Sequence, residues 1–239
     1  MEEVGGRGDG EGRNLTFGML EALGRAIVTG AYETQRFPTE AELAIEHGVS
    51  RSVTREAVKM LTAKGLLTAR PRKGTTVQPS SSWNLFDTDV LRWLLERKFS
   101  LELLRQFSEL RIAIEPEAAA LAGREANRRA VAEIRSGYER MKAAEALGED
   151  TLQADIDFHI AVLNASANPF YMQFRDVVET ALRTSIRFTN RFKGRTASLP
   201  AHHEVLAAIE AGDPAAARGA MAAIIAEVMA MIEDSERAG

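Results

Sequence analysis

Cysteine is absent from the 239 residues, which excludes disulfides and thiolate metal sites. No uninterrupted apolar run approaches the ~20 residues that span a bilayer. The opening stretch MEEVGGRGDGEGRN lacks the apolar segment of a secretory signal, and its glycines and charges predict a disordered tail over residues 1–13. Catalytic signatures are missing as well: there is no His-Glu-x-x-His helix, no Gly-rich phosphate loop and no nucleophile motif. The expectation is a cytoplasmic protein that is not an enzyme. What is there suits a packed core, with 45% hydrophobic and 27% charged residues over a length that fits one large domain or two ordinary ones.

A net charge of −4 argues against nucleic acid as a partner until its distribution is read. Residues 50–73 hold seven basic side chains (Arg51, Arg55, Lys59, Lys64, Arg70, Arg72, Lys73) against one acidic one, Glu56. A basic segment on an acidic body suits a protein that touches phosphate with one part only.

That segment has a definite pattern. Leu15, Met19, Leu20, Leu23 and Ile27 recur at helical spacing, with Gly30 as a stop. Thr39 followed by Glu42 is a capping box, and the helix it opens ends at Gly48. Ser50 caps a second helix that runs to about Lys64 and stops at Gly65. Two helices joined by a tight glycine turn make a helix-turn-helix, and LLTARPRKGTTVQP after it reads as a two-stranded wing. On the second helix Val53, Ala57, Val58 and Leu61 form the apolar stripe, and Arg51, Arg55 and Lys59 share the opposite face. Its first turn therefore offers Ser50, Arg51, Ser52 and Arg55 to a DNA groove, and Arg72, Lys73 and Gly74 form a basic wing turn. A solvated helix with three regularly spaced cations is the plain alternative. It leaves the capping box, glycine turn and basic wing as coincidences.

Pro79-Ser80-Ser81-Ser82 marks a linker, and the pattern beyond is helical throughout. The domains expected are the tail 1–13, a winged helix-turn-helix over 14–80, a linker and connecting helix over 81–99, and a helical domain over 100–236. Candidate helices are 87–97, 100–123, 127–147, 149–166, 168–192, 199–211 and 213–236. The fold class expected is mainly α: an N-terminal winged helix-turn-helix plus a C-terminal antiparallel all-helical bundle.

Within the helical domain Asp155 and His159 lie four apart on one helix face, and His202 opens another helix able to meet them. One aspartate and two histidines give a divalent ion three ligands and leave positions open. A local Asp–His hydrogen bond is the alternative reading of the same spacing. Arg183 and Arg187 read equally well as pocket residues and as exposed helix arginines.

The stretch FPTEAELAIEHGVSRSVTREAVKMLTAKGLLTARPRKGTTV resembles the DNA-binding domain of the GntR family of bacterial regulators. The matching positions are Pro38-Thr39-Glu40, Val49-Ser50-Arg51, Arg55-Glu56-Ala57, Gly65-Leu66 and Gly74. The resemblance implies DNA contacts from Arg51, Ser52, Arg55 and the turn Arg72 to Gly74. Ala41 departs from it, because many relatives carry a DNA-touching arginine there. Residues 100–236 are similar to the helical effector domain of the fatty-acid-regulator branch of that family, the FCD domain. Arg111, Glu115-Pro116, Asp155, His159, Asn168-Pro169, His202, Ala208-Ile209 and Gly212-Asp213 carry the likeness. It implies a divalent metal, zinc or similar, that helps to hold an effector carboxylate, with Arg111, Asp155, His159 and His202 as effector-site residues. A third histidine of the usual set is replaced by Ile224, which leaves Asp155, His159 and His202 as metal ligands. The anion can alternatively be held by His159, His202 and Arg111 directly. WNLFDTDVLRWLLE (83–96) and ADIDFHIAVLNASANP (154–169) look like members of the branch that govern sugar-acid use. They imply an effector such as galactonate or a related hexonate or hexuronate. The function expected is a homodimeric repressor of sugar-acid catabolism genes, released from operator DNA by its effector.

Overall fold

Helix α1 (Gly8–Val28) opens a computed structural model whose described residues are 8–70, 74–97, 100–125, 127–193 and 198–238. Its inward face is that expected from spacing, with Met19, Leu20, Leu23 and Ile27 buried, but Leu15 is 48% exposed. The tail expected over 1–13 is corrected at its end, since helix begins at Gly8. The described residues up to 97 belong to one compact unit, and those from Ser100 onward to a second.

In the first unit the helix-turn-helix consists of α2 (Glu40–Glu46) and α3 (Arg51–Ala63). Thr39 caps α2 through a complete capping box. Its hydroxyl accepts from the Glu42 amide at 3.3 Å, and the Glu42 carboxylate accepts from the Thr39 amide at 2.7 Å. Arg36 grips the same carboxylate with both terminal nitrogens. That guanidinium, with the Thr39 bonds behind it, holds Glu42 down at about 2. The α3 stripe Val53, Ala57, Val58 and Leu61 is buried as the periodicity predicts. Strand β1 (Leu67–Arg70) pairs antiparallel with β2 (Gly74–Val77), from Leu67 opposite Val77 to Arg70 opposite Gly74. This is the expected wing; its tip, Pro71 to Lys73, lies outside the described residues.

The segment set apart as a linker and connecting helix over 81–99 belongs, over its described residues 81–97, to this first unit rather than standing apart from it. A 3-10 turn at Ser80–Ser82 leads to α4 (Thr88–Leu94), capped by Asp87. The turn passes so close to the end of α3 that a Cβ on Gly65 would sit 2.2 Å from the Ser82 carbonyl. Trp93 lies fully buried against α1, where a Cβ on Gly24 would meet its ring at 2.2 Å. Only glycine lets the two helices approach so closely.

The second unit is helical throughout its described residues. It comprises α5 (Leu101–Glu125), α6 (Arg128–Leu147), α7 (Leu152–Ala165), α8 (Pro169–Met172), α9 (Arg175–Lys193), α10 (Leu199–Glu210) and α11 (Pro214–Ala238). The helix expected over 168–192 is thus broken after Met172. The central helix α5 packs against α7, α9, α10 and α11. Short connections make α6 with α7, and α10 with α11, antiparallel neighbours. The main core gathers Ala119, Ile134, Met141, Phe158, Val205, Met221 and Ile225 from five of these helices.

Pro214–Arg237 within α11 is long and apolar enough, by length and composition, to cross a bilayer. Its buried residues Ala217, Met221, Ile225 and Ile232 recur at four- and seven-residue spacing, the face of a bundle helix.

Candidate functional sites

The first site is the outer face of α3. Ser50 sits at the N-cap with φ −71° and ψ 155°, and its hydroxyl accepts from the Val53 amide at 3.3 Å. The Ser50 and Ser52 hydroxyls share a hydrogen bond at 2.9 Å. That bond uses one of two hydroxyl protons and leaves the other for a phosphate oxygen. Arg51, Ser52, Arg55 and Lys59 are all exposed, as the face analysis predicts. Lys59 pairs with Glu56 at 2.8 Å, and Arg55 leans back to Glu40 on α2 at 3.4 Å. Gly74 has φ +79°, a left-handed conformation that suits a tight wing turn. Arg72 and Lys73 lie outside the described residues.

The end of α3 is fastened to α4. Lys64 Nζ donates to both oxygens of Asp87 at 2.8 Å and lies 2.8 Å from Asp89. Burial works to lower the Lys64 pKa, but the two carboxylates outweigh it and raise it. Arg92 bridges Asp89 and Glu21, and Trp93 Nε1 donates to Glu21 at 3.0 Å. The recognition helix, α4 and α1 are therefore held by one polar network around a buried tryptophan. No local sequence pattern assigns a role to Lys64, Asp87 or Asp89, which meet only in the fold.

The second site lies inside the helical unit. Asp155 and His159 on α7 meet His202 on α10, and all three are buried. One oxygen or nitrogen from each lies within 4.8 Å of the others. His202 Nε2 is 2.9 Å from Asp155 Oδ1 and 3.3 Å from His159 Nε2, and His159 Nε2 is 3.7 Å from Asp155 Oδ1. The outer ring nitrogens fix the tautomers. His159 Nδ1 faces Glu115 at 2.5 Å, and His202 Nδ1 faces the Ser198 carbonyl at 2.8 Å. A carboxylate and a carbonyl only accept, so each Nδ1 carries a proton and each ring turns its Nε2 inward, where it can offer a lone pair to a cation.

Three potential metal ligands thus converge, two Nε2 atoms and a carboxylate oxygen. Asp155 Oδ1 is buried without a hydrogen-bond partner, although His202 Nε2 lies 2.9 Å away. Burial alone would raise the Asp155 pKa; His202, His159 and Arg111 outweigh it and lower it. An anionic oxygen and two imidazole lone pairs fit a divalent cation of the zinc kind. The local-hydrogen-bond alternative for Asp155 and His159 does not hold at 3.7 Å.

Behind the triad stands Glu115 on α5. It receives Arg111 Nε at 2.5 Å and Nη2 at 3.4 Å on one side and His159 on the other. Burial pushes its pKa up, but Arg111 and His159 more than offset this and hold it at about 2. Arg111, expected to meet the effector, is buried and engaged by Glu115. Direct capture of an anion by His159, His202 and Arg111 would set that anion beside the Asp155 carboxylate. Glu115 itself had only marked the family likeness. Its signal in the sequence was a carboxylate four residues after an arginine, in the largely apolar stretch IAIEPEAAALA, which also holds Glu117. Arg183 bridges Glu179 and Gln153 at 2.8 and 2.9 Å and is part-exposed. The Arg187 side chain lies outside the described residues. Ile224 is partly buried against the core that holds Phe158.

Two family profiles match this arrangement: bacterial regulatory proteins of the gntR family over residues 19–77, and the FCD domain over residues 106–227. The chain belongs to the GntR family. Its relatives are transcription regulators, not enzymes. The galactonate operon transcriptional repressor of Escherichia coli is 34% identical over 89% of this chain and 94% of its own length. The uncharacterized HTH-type transcriptional regulator YieP of the same organism is 33% identical over 89% and 93%. Among solved structures, E. coli McbR/YncC superposes with a TM-score of 0.53 at 19% identity, covering 93% of this chain and 98% of its own. Streptococcus agalactiae GntR gives 0.51 at 24% identity, covering 90% and 99%. As a GntR-family regulator with an FCD domain, the chain pairs a DNA-binding unit with an effector-binding one.

Proposed function

We propose that this regulator is a cytoplasmic homodimeric repressor whose hold on operator DNA is released by a sugar acid bound at a divalent metal. Asp155, His159 and His202 would hold the ion, with Glu115 and the Ser198 carbonyl orienting the two rings. When bound, the metal supplies a Lewis-acid centre with open positions for a carboxylate and a neighbouring hydroxyl. The observation that carries this reading is the buried Asp155 oxygen without a hydrogen-bond partner, on which two histidine Nε2 atoms converge. A hexonate or hexuronate is the effector class supported by the relative named for the galactonate operon. At the other unit Ser50, Arg51, Ser52 and Arg55 meet the major groove, with Arg72, Lys73 and Gly74 on the adjoining backbone. A two-fold dimer would align two recognition helices with the halves of a near-palindromic operator.

The test is a mobility-shift titration of the metal-loaded protein on its own promoter DNA with a panel of sugar acids. Release by one of them, lost after chelation, supports the reading. Release that ignores chelation removes the metal from it, and a protein that binds no promoter DNA at any effector concentration removes it entirely.

A further inference from the structure

The recognition face carries two arginines in unlike surroundings. Among the described residues no carboxylate lies within 4.0 Å of Arg51, whereas Arg55 Nε donates to Glu40 Oε2 at 3.4 Å. Glu40 is the first residue of α2, so the pair reaches across the helix-turn-helix. Both members are substantially exposed, and an exposed ion pair contributes little to stability. Nor does capping explain Glu40, because Thr39 and Glu42 already complete the capping box and Arg36 is engaged by Glu42. A carboxylate beside a phosphate-binding surface also weakens attraction to DNA of any sequence.

We infer that Glu40 is a specificity-determining residue that positions Arg55 and penalises binding to the wrong DNA. With Nε held by Glu40, the guanidinium presents its Nη1–Nη2 edge outward. That edge offers two parallel donors, the geometry that pairs with guanine O6 and N7. On a mismatched site the arginine has no such partner, and the Glu40 charge is left facing phosphate uncompensated. Glu40 therefore works through Arg55, and the inference rests on the reading that Arg55 meets a base.

The experiment uses the full chain and a duplex it selects from a random pool, with a scrambled duplex as the non-specific reference. Glu40→Ala should tighten binding to the scrambled duplex and steepen its salt dependence by about one phosphate equivalent. The ratio of specific to non-specific affinity should fall by roughly fivefold, within the range by which contacting residues couple. The loss should concentrate at the base pair whose substitution also becomes neutral in Arg55→Ala. Glu40→Gln keeps the acceptor without the charge, so it should tighten the scrambled duplex and lose the part of the discrimination that the charge supplies, a smaller loss than in Glu40→Ala. In an Arg55→Ala background, Glu40→Ala should no longer change the ratio. A loss that persists there means Glu40 reads a base itself and overturns the inference, as does an unchanged ratio in Glu40→Ala when Arg55→Ala loses discrimination. If Arg55→Ala binds like the unaltered protein, the docking of Arg55 fails and this inference with it. Circular dichroism of each variant checks that the helices remain.

Discussion

Replacing Glu115 with glutamine removes the carboxylate that neutralises buried Arg111 and orients His159. Glu115 is held at about 2 against an ordinary 4.5, a difference that corresponds to about 3 kcal/mol of native-state stabilisation. Removing one member of a buried ion pair costs about 3–5 kcal/mol, so two separate routes agree on the size. The sign follows from the depressed pKa: the contribution is fully present above about 4.5 and is lost as pH falls toward about 2. The assay is urea unfolding of the chelator-treated protein, followed by far-UV circular dichroism at neutral and acid pH. The helical unit of Glu115→Gln should unfold with about 3–5 kcal/mol less stability at neutral pH, and the gap should close through the acid window. The internal control is tryptophan fluorescence. Both tryptophans, Trp83 and Trp93, belong to the first unit, so that transition should not move. A neutral-pH gap below about 1 kcal/mol, the size of an exposed pair, or a gap indifferent to pH, would refute the reasoning.

Gly24→Leu forces a side chain into the Trp93 ring and should cost the first unit about 1–3 kcal/mol or more, read as an earlier and red-shifted tryptophan transition. Lys64→Met leaves half-buried Asp87 without its cation and Asp89 with Arg92 alone; a loss of about 1–3 kcal/mol in the same transition is expected, with earlier hydrogen exchange in α4. Ile224→His restores a histidine where the family resemblance expects one. Zinc affinity by chelator competition should rise by roughly tenfold or more, and an unchanged value would mean that residue 224 does not reach the triad. Arg51→Ala should cost roughly 1–3 kcal/mol in operator binding with the fold intact by circular dichroism.

The DNA-binding unit was largely legible because its signals are local. The Thr39–Glu42 box, the Ser50 cap and the α3 stripe are each written within one turn or one helix, and each appears where spacing put it. The helix breaks were less so. Residues 168–192 carry a continuous helical pattern, and the interruption between α8 and α9 is not marked by glycine or proline. The triad was legible only as residue types, since i,i+4 spacing joins Asp155 to His159 but says nothing about α10. What escaped was tertiary. Glu115 lies 44 positions from His159, and Glu21 lies 72 from Trp93, so no local pattern links either pair. Arg111 differs: its partner Glu115 lies four residues on and is legible by spacing, but the burial of the pair appears only in the fold.

The central claim is that Asp155, His159 and His202 bind a divalent cation. Equilibrium dialysis of the chelator-stripped protein against zinc, with metal analysis of the retained chain, tests it most directly. The account predicts one ion per chain for the unaltered protein, and loss of that ion when Asp155→Ala is combined with His202→Ala. A folded protein that retains no metal, or a double variant that retains it unchanged, would contradict it.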